Sequence, residues 1–506
     1  MESGIIDIIN NEDLGKTVDK KPIESESAFK SRHVISRRII GKKGFLKEAL
    51  LRGIKLLSLS FSLFTFLLIL QKFYIVNAIA NVPMPILFFG LIYATLIICF
   101  SRIYNSYLVG VYRISELICS QGLSNFFSVA IMYALMCVLS SEVFNPLPLM
   151  ALLLIHTIWS MGWNFFANKI FIALYPPMKT AILYRKDEDL IKLKQVKRFS
   201  MKFDIQYYIR DPKESDDLYT AVKECSAIFM IGVDMELRNK IAEFGVKNKI
   251  RVYLAPQLGD VLVSGAKHME MFSIPIFQIC SSSLTPEYAL IKRLFDLSAS
   301  FLGLLVFCPI MIVTAVAIKL YDGGPVLYKQ IRLTRNGCKF KILKFRSMCV
   351  DAEKDGVVRM ACENDCRITP IGKIIRATRI DELPQLMNIL VGQMSFVGPR
   401  PERPELALEY EQKISEFSLR LQVKAGLTGC AQVYGQYNTT PYEKLQMDLM
   451  YINNMSIIED LKLIFATVKI LFLPESTEGV AEGQTTAMDY ENEADSTENR
   501  AETVEK

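Results

Sequence analysis

Four apolar stretches fill much of the first third of the chain, near residues 54–71, 82–101, 123–141 and 148–168. Each approaches the roughly 20 residues that an α-helix needs to cross a bilayer. The apolar pattern begins only after a polar leader, residues 1–50, which is expected to be mobile and to contain no cleavable signal peptide. Between 179 and 280 the period changes: the short β-like runs TAILY, DIQYYI, SAIFMIG and RVYLAP alternate with charged helical segments, as in a parallel α/β domain. A fifth apolar stretch, Leu297 to Ile318, runs for 22 residues without a charge. Near the end, Ile457, Ile458, Leu461, Ile464, Phe465, Val468 and Phe472 recur at helical spacing, which suits an interfacial helix and a core-facing helix equally.

Charge gives these stretches an orientation. Lysines and arginines precede the first (Arg37, Arg38, Lys42, Lys43, Lys47, Arg52, Lys55), Arg102 and Arg113 lie between the second and third, and Lys169, Lys179 and Arg185 follow the fourth. The other two loops hold only Lys72 and Glu142, so both ends of the bundle are expected in the cytoplasm. The fifth stretch is basic on both sides, with Lys292 and Arg293 before it and Lys319, Lys329, Arg332 and Arg335 after. Its middle carries Pro309, which lacks an N–H and interrupts the i to i−4 ladder. These features predict a re-entrant helix-break-helix that dips into the membrane and returns. His156 and Trp159, in the fourth stretch, read as packed or interfacial residues.

Composition agrees with a membrane protein: 51% of the 506 residues are hydrophobic and the mean hydropathy is +0.24. The segment Glu475–Lys506 has ten acidic and two basic residues, a net −8 within a chain of net +6. It has no hydrophobic pattern and is expected to be disordered. Basic charge flanking apolar stretches points to anionic lipid, and no base-reading motif indicates nucleic acid. The eleven cysteines lack metal-ligand spacing; Cys362 and Cys366 can share a helix face, but no histidine is near.

Candidate chemistry concentrates in RIDELPQL (Arg379–Leu386) and SFVGPRPERPE (Ser395–Glu405). Asp381 and Glu382 stand just before Pro384, which predicts that Asp381 caps a helix running through Met387 and Leu390. Such a helix start would help hold a phosphate, with Arg376 and Arg379 nearby to neutralise it. Adjacent carboxylates point about 100° apart on a helix, so they suit two jobs rather than one shared proton. One can attack phosphorus while the other holds Mg2+. The dipeptide alone is more often a capped helix carrying solvated acids. None of the three histidines, His33, His156 and His268, lies in this region, which leaves the chemistry to carboxylates.

The wider pattern weighs against the solvated-acid reading. KRLFDLSAS (from Lys292), GGPVLYKQIRLTRNGCKFKILKFRSM (from Gly323), RITPIGKIIRATRIDELPQL, GQMSFVGPRPERPE and KAGLTGCAQV follow one another over about 180 residues. In that order they resemble the polyprenyl-phosphate hexose-1-phosphate transferases, the bacterial sugar transferases. The first 290 residues resemble, in layout only, the long members that add a four-helix membrane region and a soluble domain.

The resemblance implies transfer of a sugar 1-phosphate from a UDP-hexose to undecaprenyl phosphate, with release of UMP, at the cytoplasmic face of a bacterial inner membrane. It implies Asp381 as the nucleophile of a covalent phospho-sugar intermediate, Glu382 as a Mg2+ ligand, and Pro399-Arg400-Pro401 as an element associated with the uridine nucleotide. It also points to a re-entrant hairpin at Pro309. Lys344 and Arg346 in KFRSM, and Lys292 and Arg293 at the lipid boundary, are further candidates for substrate phosphates; for the last two a lipid-anchor role is equally expected. Two positions depart from the family pattern: Ala425 stands where proline is usual before Gly-(Leu/Ile)-Thr-Gly, and Cys366 replaces the proline of a DPRIT-like stretch at Asp365.

The expected architecture is thus a membrane α-helical bundle (51–175), a Rossmann-like α/β domain (179–280) and a mainly α catalytic domain with a re-entrant membrane helix (288–474). The middle domain lacks a Gly-x-Gly-x-x-Gly turn, its first turn reading YRKDEDL, so a scaffold or homodimer-forming role suits it better than nucleotide binding. A non-catalytic membrane assembly protein and a sugar-nucleotide oxidoreductase are the alternative classes. Glucose and galactose are the family's common hexoses, with N-acetylated sugars also open.

Overall fold

A computed structural model describes residues 26–75, 85–186, 202–271, 274–279, 285–349, 367–435 and 439–471, with side chains of the first helix from Lys47 onward. The expectations for the basic side chains before Lys47, for Cys362, Asp365 and Cys366, and for the acidic tail lie outside the described residues. Residues 1–60 form one unit and Phe61–Lys506 a second.

Helix α1 (Glu26–Ile69) starts inside the polar leader, residues 1–50, and ends in a π-helical turn, Leu70–Ile75. It is followed by α2 (Pro85–Ile103), α3 (Ile114–Ser140) and α4 (Leu147–Leu174). Among the described residues, five segments are long and apolar enough to cross a membrane: Lys47–Tyr74, Ile86–Ile103, Ile114–Ser140, Leu147–Leu174 and Pro286–Asp322. Inside the second unit, Phe66 stacks on Tyr93 with centroids 4.0 Å apart, and Phe61 stacks on Trp159 at 3.9 Å. A polar layer lies among these helices, and several of its members hydrogen-bond one another. Asn164 Nδ2 donates to Gln121 Oε1 (2.9 Å), and Gln121 Nε2 donates to the Ser106 carbonyl (3.0 Å). His156 is buried, with Nε2 2.9 Å from Thr65 Oγ1.

The middle region contains β1 (Met178–Tyr184), β2 (Phe203–Arg210), α5 (Asp216–Glu224), β3 (Ala227–Ile231), α6 (Met235–Asn248) and β4 (Arg251–Leu254). The strands make a parallel sheet of order β2-β1-β3-β4. Central β1 is buried from Thr180 to Tyr184, the continuous burial expected of a strand covered on both faces. Helix α7 (Leu258–Ser264) and the antiparallel hairpin β5 (Lys267–Met271) and β6 (Ile274–Gln278) complete the region.

Helix α8 spans Pro286–Asp322. Thr285 caps it, its hydroxyl accepting from the Tyr288 N–H, and Gly323 ends it at φ 70°. Helical structure continues through Pro309, where a break was expected. Both halves nevertheless pack on the same body. Before the proline, Leu304 joins Phe340, Ile342, Leu386 and Ile389; after it, Met311, Ala315 and Ile318 join Phe345 and Ile375. Residues 305–310, between them, are exposed.

That body comprises the hairpin β7 (Leu327–Leu333) and β8 (Lys339–Phe345), α9 (Pro370–Ala377), a 3-10 turn (Ile380–Glu382), α10 (Gln385–Val391), β9 (Ser395–Val397), α11 (Pro404–Lys413), a second 3-10 segment (Ser415–Gln422), β10 (Gly426–Thr428), α12 (Cys430–Tyr434), α13 (Pro441–Asn453) and α14 (Ile457–Leu471). Its largest core gathers Val397, Tyr410, Phe417, Leu445, Leu449, Ile452 and Leu463. Strands β9 and β10 are parallel and lie very close where they leave the pair: a Cβ on Gly398 would sit 2.3 Å from the Lys424 carbonyl oxygen, and one on Gly426 would sit 2.2 Å from the Gly398 nitrogen. Helix α13 also carries the middle region, since Gln446 Nε2 donates to the Pro256 carbonyl (2.7 Å) and Asn453 Nδ2 to that of Val261 (2.8 Å).

Candidate active site

The chain leaves α9 through Arg379, which sits in the left-handed region at φ 56° and turns it into Ile380–Glu382. A non-glycine residue there costs roughly 1 kcal/mol, and such strain gathers at sites where geometry matters. The acidic pair therefore lies in a 3-10 turn. The expected helix begins only at Gln385, with Pro384 at its cap position, so Asp381 is not the helix cap and no phosphate cradle of that kind forms around it.

The two carboxylates have different surroundings. Glu382 Oε1 accepts from Lys344 Nζ at 2.8 Å, and Oε2 lies 3.7 Å from Arg379 Nη1. Burial pushes the Glu382 carboxyl upward, but the charges of Lys344, Arg400 and Arg379 outweigh it and hold the group at about 2. Asp381 has neither a hydrogen-bond nor an ion-pair partner among the described residues. Burial, reinforced by the negative charge of Glu382, raises its pKa, while Lys344, Arg376 and Arg379 pull the other way. Neither Arg376 nor Arg400 commits its guanidinium to an ion pair among the described residues. The cluster thus holds one paired carboxylate, one unpartnered carboxylate and two uncommitted cations.

Neighbouring elements place these groups. Lys344 lies on β8, where Asn388 of α10 completes the strand edge: its Oδ1 accepts from the Leu343 N–H (3.0 Å) and its Nδ2 donates to the Lys341 carbonyl (2.9 Å). Two arginines, the half-buried Arg332 and the buried Arg420, hold the Pro399–Arg403 segment. Arg332 Nη1 donates to the Pro401 carbonyl (3.0 Å), and Arg420 Nη2 donates to that of Arg400 (3.1 Å). Arg420 is itself paired with Asp448 at 2.7 Å and Glu402 at 3.4 Å. Beside this segment lies a cavity of about 240 Å³ lined by Pro399, Arg400, Glu402, Phe417, Val423 and Ala425, among others. Ala425 is buried, and its N–H donates to Thr334 Oγ1 (3.2 Å), a bond that the proline usual at this position has no hydrogen to make.

Asp381, Glu382, Lys344, Arg376, Arg379 and Arg400 are thus brought into one electrostatic cluster, while Pro399 lines the neighbouring cavity and Pro401 is held through its carbonyl by Arg332. The other candidates have separate partners. Lys292 Nζ donates to Asp460 Oδ2 (2.6 Å) and to the Tyr451 hydroxyl (3.2 Å). The Arg293 guanidinium donates to the carbonyls of Ile389 (2.8 Å) and Leu390 (2.9 Å), capping the end of α10. Arg346 pairs with Asp322 at the end of α8. All three fasten α8 to the rest of the domain. Sequence alone marks Arg332 only as a flanking charge and does not mark Asn388 or Arg420; the one local signal is a polar residue within an apolar pattern, as at Asn388 in LPQLMNIL.

This is a membrane-associated protein whose helical domain concentrates carboxylates and guanidinium groups beside a cavity. Residues 287–474 match the family described as bacterial sugar transferase. A Klebsiella pneumoniae protein named UDP-glucose:undecaprenyl-phosphate glucose-1-phosphate transferase is 36% identical over 291 residues, 55% of this chain and 61% of that protein. A Caulobacter vibrioides protein of the same name is 40% identical over 191 residues, 37% of this chain and 71% of the relative. The exopolysaccharide production protein PSS of Rhizobium leguminosarum bv. phaseoli is 41% identical over 186 residues, 35% of this chain and 93% of its own length. The chain belongs to the bacterial sugar transferase family. It spans about half the length of several longer curated relatives.

Proposed function

We propose that the protein transfers a hexose 1-phosphate from a UDP-hexose to undecaprenyl phosphate, at the cytoplasmic face of the bacterial inner membrane, to begin an exopolysaccharide, capsule or O-antigen chain. The observation that carries this reading is the unequal acidic pair, in which Asp381 is free to react and Glu382 is fixed and ionised beside uncommitted arginines.

In the first step an Asp381 carboxylate oxygen attacks the β-phosphorus. The bond from that phosphorus to the bridging oxygen breaks, and UMP leaves with that oxygen. In the second step a phosphate oxygen of undecaprenyl phosphate attacks the same phosphorus, the acyl phosphate bond breaks, and the Asp381 carboxylate is restored. Arg376, Arg379 and Arg400 stabilise charge on the phosphoryl oxygens, and the cavity beside Pro399-Arg400-Pro401 receives the nucleoside.

The donor set fits a hard cation. Glu382 remains ionised, Asp381 is unpartnered, and among the described residues no group of three potential ligands assembles, so substrate phosphate oxygens would complete the shell. Glu382 would hold Mg2+, which supplies positive charge against the phosphates when bound.

Contacts on both sides of Pro309 support a re-entrant α8. Leu304 and Met311 touch one domain only seven residues apart, too short a path for a bilayer core of about 30 Å to separate them. The exposed apolar residues Ile374, Met387 and Val391 on α9 and α10 favour placement of the Asp381 turn at the membrane surface. The middle α/β region, Rossmann-like in this reading, serves as a scaffold or homodimer contact. Incubation of the purified protein with Mg2+, undecaprenyl phosphate and a panel of UDP-sugars tests the proposal: UMP should appear together with a lipid diphosphosugar, and absence of both with every donor would refute it.

A further inference from the structure

We propose that α14 is the element through which the membrane bundle sets the height of the Asp381 cluster, with Phe465 as its positioning residue; this rests on the transfer reading above.

The helix presents opposite faces to two bodies. Asp460, Leu463 and Thr467 face the catalytic core. Asp460 accepts from Tyr288, Lys292 and Tyr451; Leu463 is 1% exposed in the main core; and Thr467 Oγ1 lies 2.5 Å from Thr428 Oγ1 on β10. Positions 463 and 465 are about 200° apart around a helix, so Phe465 points the other way. Its ring meets Phe100 and Phe127 edge-on, with centroids at 5.1 Å, and Tyr104 at 6.2 Å. One turn further on, Lys469 Nζ lies 4.7 Å from the centroid of the Tyr112 ring. These partners belong to α2, α3 and the loop between them. The bundle therefore grips α14 through an aromatic socket, and two residues later α14 is tied to β10, the strand beside β9 and the Pro399–Arg400 segment.

The two substrates differ in what they require of this contact. A UDP-sugar arrives from water and can reach Asp381 at any height. The acceptor phosphate is confined to the headgroup plane, and an error of roughly 1 Å in placing reacting groups can cost about 100-fold in rate. The socket should therefore affect acceptor attack and leave formation of the sugar-phosphate adduct unchanged.

The test uses the full chain in nanodiscs with undecaprenyl phosphate and the radiolabelled UDP-sugar that the wild type accepts. Phe465→Ala is expected to form the adduct at the wild-type rate while the KM for undecaprenyl phosphate rises about tenfold, the size of a lost aromatic cluster. Phe465→Tyr should restore it. Phe127→Ala, which alters the socket from the bundle side, should give the same split and add little to Phe465→Ala; it also serves if the first variant fails to fold. An unchanged acceptor KM, or an equal fall in both half-reactions, overturns the inference. A wild type that forms no adduct at all overturns the transfer reading instead.

Discussion

Two clusters of carboxylates and cations lie in the same domain, and they differ in how completely their charges are partnered. Around Asp460 every group is engaged: Lys292 and Tyr288 donate to one oxygen, Tyr451 to the other, and the cluster fastens α14 to the start of α8. Around Asp381 the accounting is open: among the described residues one carboxylate lacks a partner and two guanidinium groups are uncommitted. Closed clusters of this kind hold a fold together, whereas an open one keeps interaction energy available for a ligand. The contrast separates structural charge from reactive charge where residue types alone do not.

The contrast breaks if the open cluster proves dispensable. Asp381→Asn is expected to abolish the labelled adduct and to cut transfer by at least about 10⁴-fold. Because the folded state raises the Asp381 pKa, ionising this carboxylate opposes folding at neutral pH, so the same variant should melt no lower than the wild type in a thermal scan. Asp460→Asn should do the reverse. Breaking a buried pair costs about 3–5 kcal/mol, read as a lower denaturation midpoint, while the folded fraction still forms adduct.

A smaller effect is expected at Lys344, which belongs to both accounts because it partners Glu382 and tempers Asp381. Lys344→Met should slow transfer by about 10- to 100-fold. The acid limb of the pH–rate profile is expected above that of an unperturbed aspartate, because burial and Glu382 raise the Asp381 pKa; without Lys344 it should move higher still. For stability, Glu382 drops from its usual 4.5 to about 2 on folding, so its contribution is full above pH 4.5 and is lost as pH falls through about 2. Denaturation midpoints measured across that window should lose part of this slope in the variant. Least of all, Ala425→Pro should cost about 1 kcal/mol or less in the same assay, removing one bond to Thr334 while stiffening the unfolded chain.

How far the chain could be read unaided follows from the range of each interaction. Apolar runs are local, and they located the membrane helices; the β-like runs likewise located the parallel sheet. Asp381, Glu382, Arg376 and Arg379 share one short segment, and the family likeness added Lys344 and Arg400. Lys292 could not be understood from its surroundings, because its partner Asp460 lies 168 residues downstream, and Arg346 needed Asp322 from the far side of a hairpin. The cap expected at Asp381 failed for a backbone reason: a left-handed Arg379 diverts the chain into a 3-10 turn before the helix starts. The final helix was ambiguous because a periodic pattern cannot say what covers each face, and here two different bodies do.

The close approach of Gly398 and Gly426 carries a consequence for engineering. Since neither position can accept even a methyl group without displacing main-chain atoms of the other segment, no side chain at that seam is available to reshape the neighbouring cavity. Libraries aimed at the cavity proposed to receive the nucleoside should leave both positions fixed and vary its wall at Phe417, Leu421 and Val423 instead.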